Sequence, residues 1–506
     1  MIFKAIVRKN QYEDSVRLMS ISRQVSSMKR VKTCLALLGT DGNKKIMKGL
    51  GLLDSNVQSA TPNDLVICIK AESGREWEAA LQEVDKLLGQ ASEKGEETSK
   101  AGSINEAVNR LKNANFVIFS IPGQFAKLDV INALEKGINV MLFSDNVSLE
   151  DEIFLKKMAV KKNLLMMGPD CGTSIINGVP LAFANVITRG NIGIIGASGT
   201  GIQEIACLID RFGAGISHAI GVGGRDLKKG VDGMMMSLSI RKLAQDKKTK
   251  SLLLISKPGD PAAMRRVMNE AGKTGLPTVA CFLGKGKSLP GKRGIKVVST
   301  LEDAVYTATN RKKTKVTIPP KFEEKMKLQS VKRKYLKGLY SGGTLCYEAL
   351  LLFDGILDVY SNIAIEKRLR LKYPAKGKKH YCIDMGDDDF TKGKPHPMID
   401  STLRVERITE EYANPSTSLL LLDVVLGYGT NPEPAADIVS ALAKARKKRE
   451  NRKDNPIVLA HVCGTERDPQ SLSRQESKLK KAGVFLAETN ADAVRMAINV
   501  LSCKKM

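Results

Sequence analysis

The sequence predicts an α/β protein in which a small N-terminal α+β domain precedes three α/β units with parallel sheets. From residue 104 onward, short runs that are apolar throughout alternate with helical stretches, which is typical of parallel sheets covered on both faces. The pattern of residues 190–310 then recurs later in the chain. With 506 residues, 42% of them hydrophobic and 26% charged, the chain has the size and composition of a multidomain globular protein.

Residues 1–90 form the predicted α+β domain, because short apolar runs such as FKAIV and DLVICIK alternate there with amphipathic stretches. The polar segment GQASEKGEETSKAGS at 89–103 predicts an exposed linker. Residues 104–188 alternate helices with the apolar runs NFVIFSIPG, INVMLFSDN and NLLMMGPDCG. That alternation predicts a Rossmann-like α/β domain.

Two related, flavodoxin-like units are predicted at 190–310 and 335–503, joined by the charged linker 311–334. GLYSGGTLCYEALLL resembles GASGTGIQEIACLI, TSLLLLDVVLGYGTN resembles KSLLLISKPGD, and NPIVLAHVCGT resembles LPTVACFLGKG. Each unit opens with a strand, a Ser-Gly-rich turn and a helix. The sequence therefore predicts an internal duplication, with insertions in the second copy.

The two Ser-Gly-rich turns are the main candidate binding sites. The first corner comprises Ser198, Gly199, Thr200 and Gly201, and the second corner comprises Ser341, Gly342, Gly343 and Thr344. The first corner matches no nucleophile elbow, dinucleotide fingerprint or Walker loop. Unpaired backbone N–H groups at a helix start attract anions, so we expect the corners to bind phosphate or carboxylate. The alternative is that the glycines permit tight turns and the hydroxyls cap the helices.

Further candidates lie where strands should end. The catalytic candidates are Arg225, Lys257 and His396, and the substrate-binding candidates are Asp170, Cys171 and Asp387. Arginine suits bidentate recognition of carboxylate or phosphate. A buried structural thiol is the alternative for the cysteine.

Two interpretations of other polar groups stay open. The aspartate-rich segment IDMGDDDFTKGKPHPMID at 383–400 is either an active-site loop or an ordinary turn, and it lacks EF-hand spacing. We predict no metal site. A nucleophilic Ser198 would need a histidine, and only the fold could bring His396 or His461 to it. His218 lies within an apolar run, where a satisfied core histidine is expected.

The net charge of +26 comes from lysines and arginines spread along the chain with few aromatic residues. This favours a solvated lysine-rich surface that steers small anionic substrates, and not a nucleic-acid site. No apolar run approaches the ~20 residues that span a bilayer. Nine scattered cysteines without a CxxC pair predict free thiols in a reducing compartment. We therefore expect a cytoplasmic protein with no nucleic-acid or membrane partner.

These segments, together with MGPDCGTSIINGVPLAFANV, SHAIGVGGRDL, KPHPMIDSTLR and VCGTERDPQS, resemble the FdrA family, a relative of succinyl-CoA synthetase. The resemblance covers nearly the whole chain. It implies a CoA-binding-like domain at 104–188 and ligase-CoA domains at 190–310 and 335–503. In succinyl-CoA synthetase, helix N-termini at two such corners converge on a phosphohistidine.

The sequence departs from that synthetase at two places. No histidine occurs from 219 to 379, where the phosphohistidine segment would fall, and the glycine-rich turn of the CoA domain is missing before NFVIFSIPG. These departures do not favour CoA as a cofactor. They suit an enzyme that handles phosphate or an acyl phosphate without a phosphoenzyme.

The resemblance implies an oxamate carbamoyltransferase that acts with two further subunits in anaerobic allantoin or purine breakdown. It would convert oxalurate, a small anionic ureido substrate, and phosphate into oxamate and carbamoyl phosphate. The corners would hold phosphate or carbamoyl phosphate, and Arg225 or Lys257 would bind the substrate carboxylate. Two alternatives stay open: a subunit of an ADP-forming acyl-CoA synthetase, and a non-catalytic scaffold subunit.

Overall fold

A computed structural model describes most of the chain. The described residues are 1–11, 13, 15–26, 28–40, 43–44, 47–48, 51–89, 101–284, 291, 294–313, 316–327, 329, 332–374, 377, 379–391, 395–447 and 455–502. The chain divides into two compact units, residues 1–102 with 391–395, and residues 103–390 with 396–506. None of the helices in the described residues combines the length and apolar character needed to cross a membrane.

The N-terminal unit is built on a three-stranded antiparallel sheet. Its elements are β1 (Ile2–Arg8), α1 (Ser15–Ser26), β2 (Val31–Leu38), α2 (Ser55–Ser59), β3 (Leu65–Ala71) and α3 (Gly74–Gly89). The strand order is β1-β3-β2, with Ile2 opposite Ala71 in the first pair. Side chains of α1 and α3, among them Leu18 and Trp77, form one core with the sheet. This arrangement confirms the predicted α+β class; residues 90–100 of the predicted linker lie outside the described residues.

The second unit begins with a three-stranded parallel sheet in the order β4-β5-β6. Its elements are α4 (Ile104–Arg110), β4 (Phe116–Phe119), α5 (Ala126–Glu135), β5 (Asn139–Leu142), α6 (Leu149–Lys161) and β6 (Met166–Met167). Buried residues such as Val140, Leu142 and Leu155 form its core. The alternation of apolar strands and helices over this stretch is as the sequence predicts.

A hairpin within the predicted domain 104–188 belongs to the next sheet. The hairpin consists of β7 (Thr173–Ile176) and β8 (Val179–Ala182), joined through Asn177 and Gly178, which both have positive φ angles of 51° and 82°. An Asn-Gly pair favours this two-residue turn because both residues tolerate the left-handed region. Ile175 then pairs with Ala219 of the following sheet, so the hairpin lies outside the first sheet.

That following sheet has seven strands in the order β13-β12-β11-β9-β10-β7-β8. Its strands are β9 (Arg189–Gly196), β10 (Ile216–Gly221), β11 (Ser251–Ser256), β12 (Thr278–Phe282) and β13 (Ile295–Val298), with the hairpin at one edge. Its helices are α7 (Gly199–Arg211), α8 (Met234–Gln245), α9 (Pro261–Lys273) and α10 (Leu301–Ala308). All of its pairs outside the hairpin contacts are parallel.

The last sheet has five parallel strands in the order β15-β14-β16-β17-β18. Its strands are β14 (Tyr335–Tyr340), β15 (Tyr381–Asp384), β16 (Thr417–Val425), β17 (Ile457–Cys463) and β18 (Phe485–Ala487). Its helices are α12 (Gly343–Phe353), α13 (Asp388–Thr391), α14 (Thr402–Ala413), α15 (Pro434–Lys447), α16 (Leu472–Lys481) and α17 (Asn490–Ser502). Every residue of β16 is buried, as expected for a central strand covered on both faces.

The two larger sheets share one topology, which confirms the predicted duplication. Reading from the outer strand inward, β13-β12-β11-β9-β10 has the same sequence order as β18-β17-β16-β14-β15. The strand that opens each copy, β9 or β14, lies inside its sheet. Since ligands of open α/β sheets bind beyond the carboxyl ends of such strands, this topology places both corners where a site is expected.

The predicted linker 311–334 contains a short helix, α11 (Pro320–Lys327). Phe322 on this helix is fully buried, and its ring packs edge-on against Phe485 of β18 at 4.9 Å between ring centroids. The charge of the segment predicts exposure, but this single aromatic residue anchors it. The eight described cysteines are free and buried, which confirms the prediction of free thiols for them.

Candidate active site

The two corners lie against each other. The first corner follows β9 and opens α7, and the second follows β14 and opens α12. The hydroxyl of Ser198 contacts the hydroxyl of Thr344, and the backbone N–H of Thr344 donates to Thr200 Oγ1 at 3.4 Å. Two turns that are more than 140 residues apart in sequence therefore form one constellation.

The first corner is open. Ser198 is the N-cap of α7, with an extended backbone, and its Oγ accepts from Gly201 N–H at 3.1 Å. Among the described residues no acceptor takes the backbone N–H of Gly199 or Thr200. Ser198, Gly199 and Thr200 are only half-buried. The helix dipole and these donors give the corner the properties of an anion site.

The second corner is filled by a carboxylate of the same chain. Asp423 on β16 is fully buried, and its two oxygens accept the backbone N–H groups of Ser341 at 2.8 Å and Gly342 at 2.7 Å. Its Oδ1 also accepts from the Ser341 hydroxyl at 3.1 Å. Ser341 and Gly342, which the sequence assigns to phosphate binding, are thus committed to Asp423. This is a correction, because their amides already hold an anion.

Arg404 of α14 neutralises that buried carboxylate. Its Nη2 lies 2.7 Å from Asp423 Oδ1, and its guanidinium also donates to the carbonyl of Leu339 at 2.8 Å. Arg404 is 6% exposed. A buried carboxylate needs such a partner together with hydrogen bonds to offset the loss of hydration. The pair therefore stabilises the closed form of the second corner.

Asp384, at the end of β15, lies beside the remaining part of the second corner. A Cβ on Gly343 would stand 2.3 Å from Asp384 Oδ2, so this carboxyl requires a glycine there. Asp384 is 6% exposed, and its Oδ1 accepts from Gly386 N–H at 2.9 Å. Burial raises the pKa of the Asp384 carboxyl to about 6, and the nearby charge of Lys257 opposes that shift.

Lys257 follows β11 and approaches the same side chains. Its ammonium lies 6.0 Å from the ring centroid of Tyr347 on α12, and its charge acts on Asp384. Within the described part of the chain Lys257 forms no ion pair. It therefore keeps the capacity that the sequence assigns to it, recognition of a substrate carboxylate, which stays a prediction.

His396 lies next to the second corner. His396 and Ser341 both lie against Gly386. A Cβ added to Gly386 would stand 2.5 Å from His396 Nε2 and 2.9 Å from the carbonyl oxygen of Ser341. Burial lowers the pKa of His396 to about 4, so the imidazole is neutral at pH 7. Its Nδ1 accepts from Met398 N–H at 3.2 Å, which leaves the proton on Nε2.

The other three histidines are held away from Ser198. His461 is buried against Glu204, with 2.8 Å between Nε2 and Oε2, and His218 Nδ1 accepts from Asn177 N–H at 3.0 Å. His380 Nδ1 accepts from Leu336 N–H at 3.1 Å. No described histidine contacts Ser198, so the structure does not assemble the serine triad that the sequence left open.

Arg225, a catalytic candidate from the sequence, is paired with residues outside the two corners. Its Nε lies 2.8 Å from Glu152 of α6, and its Nη2 donates to the carbonyl of Val147 at 2.7 Å. Glu152 also pairs with the fully buried Lys156. The guanidinium is therefore part of an ion cluster with Glu152 and Lys156.

The substrate-binding candidates fall into different environments. Cys171 is 2% exposed, and its thiol faces the carbonyl oxygens of Thr173 and Gly221. Burial raises its pKa to about 11, which is the environment of the structural thiol that the sequence left as the alternative to substrate binding. Asp170 is exposed, with a φ of 56°, and Asp387 accepts from Asp389 N–H in a turn. Asp170 forms no hydrogen bond or ion pair with either corner among the described residues, but the charges of Lys257 and Arg225 act on its carboxyl group.

Asp423 and Arg404 are the site residues that sequence reasoning missed. The available signal was modest: Asp423 is the one charged residue in the otherwise apolar run SLLLLDVVLG. A charged residue inside a buried strand needs a partner, but the sequence does not say which of the many arginines supplies it. The aspartate-rich segment gives no metal site either: within the described residues no group of three His, Cys, Asp or Glu is placed to hold a metal ion.

Three family models match the chain. A CoA-ligase model matches residues 339–500, a CoA-binding domain model matches residues 188–283, and the model "AllF, heavy metal-associated domain" matches residues 1–104. The CoA-binding match thus covers β9 to β12 and the first corner. The matches place the second unit of the chain on a succinyl-CoA synthetase-like scaffold.

One relative matches almost end to end. The uncharacterized protein YahF of Escherichia coli K12 is 39% identical over 506 residues, which covers 98% of each chain. This chain belongs to the YahF family.

More distant relatives are subunits of CoA ligases. The alpha 2 subunit of the ADP-forming succinate–CoA ligase of Archaeoglobus fulgidus is 29% identical over 215 residues, covering 41% of this chain and 72% of that subunit. Among solved structures, a dinucleotide-forming acetyl-coenzyme A synthetase of Ca. Korarchaeum cryptofilum has 14% identity and a TM-score of 0.32, over 77% of this chain and 83% of its own.

The heavy-metal name of the N-terminal model does not fit the residues present. That domain has two cysteines, Cys34 and Cys68, which lie in different cores on opposite faces of the sheet. Burial raises the pKa of each thiol to about 12. Soft metals bind thiolates, usually as closely spaced pairs, so this domain lacks the ligand set and no step below uses a metal there.

The segment 104–188, to which the resemblance assigns CoA binding, lies outside the CoA-binding match and has no glycine-rich loop after β4. The turn there is SIPG, and a Cβ on Gly123 would stand 1.9 Å from the carbonyl oxygen of Asp145. That glycine serves close backbone packing, and Asp145 and Val147 occupy the space beside it.

Proposed function

We propose that the chain is a subunit of an oxamate carbamoyltransferase, which converts oxalurate and phosphate into oxamate and carbamoyl phosphate. The observation that carries the proposal is the pair of touching corners of which one is open and one is closed. An open corner that offers amides and hydroxyls suits a single phosphate. The match of the N-terminal domain to the AllF model supports a place in allantoin breakdown.

Phosphate would bind at the first corner. With the Thr344 hydroxyl donating to Ser198 Oγ, the donors to phosphate would be the backbone N–H groups of Gly199 and Thr200 and the hydroxyls of Ser198 and Thr200. Phosphate at the start of α7 also gains from the helix dipole. Lys257 would hold the carboxylate of oxalurate, since Arg225 is already paired with Glu152.

The chemistry is attack by a phosphate oxygen on the carbamoyl carbon. The tetrahedral oxyanion that forms needs hydrogen-bond donors fixed in advance, and the hydroxyls where the corners meet are placed to supply them. Phosphate is a competent nucleophile, so no phosphohistidine is required. This agrees with the histidines present, of which three are held away from the corners and the fourth, His396, carries its proton on Nε2.

The second candidate is a subunit of an ADP-forming acyl-CoA ligase. The similarity to succinate–CoA ligase alpha subunits favours it. Such an enzyme would need CoA and a partner that brings ATP. The closed second corner counts against it.

The test is formation of carbamoyl phosphate from oxalurate and phosphate by the full chain, alone and with its partner subunits. We expect phosphate-dependent product in one of these combinations. Ser198→Ala should lower turnover by roughly 10-fold or more, because it removes a donor from the phosphate. Ser148→Ala is the matched control, since Ser148 caps α6 in the same way and belongs to neither corner.

Two results would contradict the proposal. The absence of carbamoyl phosphate in every combination would exclude the transferase. Acyl-CoA formation that depends on added CoA and ATP would favour the ligase instead.

A further inference from the structure

We infer that Asp384 is the proton-transfer residue of the phosphate site, passing a proton between the bound phosphate and the nitrogen of the departing amide. This inference rests on the proposed function and adds a catalytic residue to it. Asp384 is not one of the two corners, and the sequence marks it only as a member of an aspartate-rich segment that also suits an ordinary turn.

The first argument is the position of the carboxyl group. Asp384 ends β15, the strand next to β14, so its side chain lies at the carboxyl edge of the sheet from which the second corner emerges. Its Oδ2 stands where a side chain of residue 343 would be, 2.3 Å from an ideal Cβ on Gly343. The glycine thus opens a path between the carboxyl and the start of α12.

The second argument is that one oxygen of this carboxyl is fixed and the other is uncommitted. Asp384 Oδ1 accepts from Gly386 N–H, and the backbone of Asp384 is held by Asn362, whose side chain bonds both its N–H and its carbonyl. Among the described residues Oδ2 has no hydrogen-bond partner and no ion pair, although the side chain is 94% buried. An uncommitted oxygen on a rigidly held carboxyl is what proton transfer requires.

The third argument is the contrast with Asp423. Both aspartates are buried beside the second corner, but Asp423 takes two backbone N–H groups and pairs with Arg404, which fixes it as a carboxylate. Asp384 has neither kind of stabilisation at Oδ2, and burial raises its pKa to about 6. A phosphate dianion in the first corner would raise it further by like-charge repulsion. Near neutral pH this carboxyl can therefore give and take a proton.

The reaction balances through this one group. A phosphate oxygen of HPO₄²⁻ forms a bond to the carbamoyl carbon, and the bond from that carbon to the oxamate nitrogen breaks with its electron pair on nitrogen. The nitrogen takes the proton of the Asp384 carboxyl, and Asp384 takes the proton that phosphate carried. Oxamate and the carbamoyl phosphate dianion leave, and no net proton is released.

The test compares Asp384→Asn with Asp354→Asn in the full complex. Asn keeps the shape of the side chain and can still accept from Gly386 N–H. Asp354 is the exposed C-cap of α12, at the opposite end of that helix from the second corner. Asp354→Asn therefore controls for the removal of one carboxylate from the chain. We expect Asp384→Asn to lower turnover of oxalurate at least ~100-fold, the usual contribution of a general acid, and Asp354→Asn to leave it unchanged.

Two further measurements separate catalysis from structure. A carbamate ester with a phenolate leaving group needs no proton, so Asp384→Asn should turn it over within a few-fold of the unmodified chain. The unmodified chain should also lose activity on oxalurate as pH rises through the pKa of Asp384, and that limb should be absent in Asp384→Asn. Phosphate binding by the variant, measured by calorimetry, should be retained, which shows that the variant is folded.

Equal turnover of oxalurate by Asp384→Asn and the unmodified chain would overturn the inference alone. The inference would also fail if Asp384→Asn lowered turnover of oxalurate and of the ester equally and still lost activity as pH rises. That result would indicate a positioning role for Asp384. No carbamoyl phosphate from the unmodified chain would instead overturn the proposed function, and the inference with it.

Discussion

The two corners belong to two copies of one duplicated unit, but they differ in what pairs with the backbone N–H groups at their helix starts. Each follows the opening strand of its sheet and starts a buried helix. When KSLLLISKPGD is aligned with TSLLLLDVVLG, Ser256 stands where the second copy has Asp423. The second corner thus carries its own carboxylate, whereas the first corner leaves its amides open.

This difference shows how a duplicated scaffold can keep two helix starts and use only one for ligand. An attached carboxylate satisfies the orphan N–H groups of a helix without the entropy cost of binding a free anion. The first corner keeps those groups for a ligand because Ser256, 4% exposed, carries no charge. One residue therefore distinguishes a structural corner from a functional one.

The largest effect is expected when the closed corner is broken. Asp423→Ala removes the anion from two backbone amides and leaves Arg404 buried without its partner, so the free energy of unfolding should fall by ~3–5 kcal/mol. Chemical denaturation of the full chain measures it. Arg404→Met in the same chain should restore part of the loss, and an unchanged midpoint in Asp423→Ala would contradict this account of the second corner.

The next largest effect is expected when the open corner is closed. Ser256→Asp should place a carboxylate on the amides of the first corner and lower carbamoyl phosphate formation ~100-fold, because the phosphate donors are taken. Ser256→Asn has nearly the same volume and no charge, so it controls for crowding. Equal activity of the two variants would show that the corners do not differ through this position.

A smaller effect is expected when a hydroxyl is removed from either corner, and its nature should differ between the two corners. Thr200→Val should weaken phosphate binding ~5–10-fold, since one neutral hydrogen bond to a charged ligand is lost. Ser341→Ala removes a hydroxyl that donates to Asp423, so it should lower stability and leave phosphate affinity as it is. Calorimetric titration with phosphate distinguishes the two, and a loss of affinity in both variants would point to a shared site.

The smallest effect concerns the helices that the corners open. Glu204 on α7 pairs with His461, but Glu348 on α12 accepts from Leu301 N–H and the Asn490 amide and forms no ion pair with any residue that the structure describes. Burial raises the pKa of Glu348 to about 7, above its ordinary value of 4.5. Its stabilising contribution is therefore complete below pH 4.5 and is lost as pH rises through 7.

Glu348→Gln should flatten that dependence. The melting temperature of the unmodified chain should fall by a few degrees between pH 5.5 and 8, and that of the variant should change less over the same range. Parallel curves for the two chains would show that Glu348 does not titrate in this window.

The sequence was sufficient for the fold because the signals were local and repeated. Apolar runs of strand length, the Ser-Gly turns and the recurrence of SLLLL-type strands predict both duplicated sheets. The hairpin at Asn177 and Gly178 carries a local signal, its Asn-Gly pair, but its place in the seven-stranded sheet depends on the pairing of Ile175 with Ala219, which no local pattern predicts.

The site could be predicted only in part, since partners that are distant in sequence decide it. Ser198 and Thr344 were both candidates, but their contact depends on how the two copies pack. Arg225 is paired with Glu152 of α6, a residue more than 70 positions away that no local pattern connects to it. Asp423 is close to the second corner only because β16 pairs with β14.

The number of phosphate ions bound per chain tests the comparison of the corners most directly. Calorimetry on the full chain with inorganic phosphate should give one site, which Ser256→Asp abolishes and Ser256→Asn retains. Two equivalent sites, or one site that persists in Ser256→Asp, would contradict the account, because either result would mean that the second corner also binds phosphate or that the first does not.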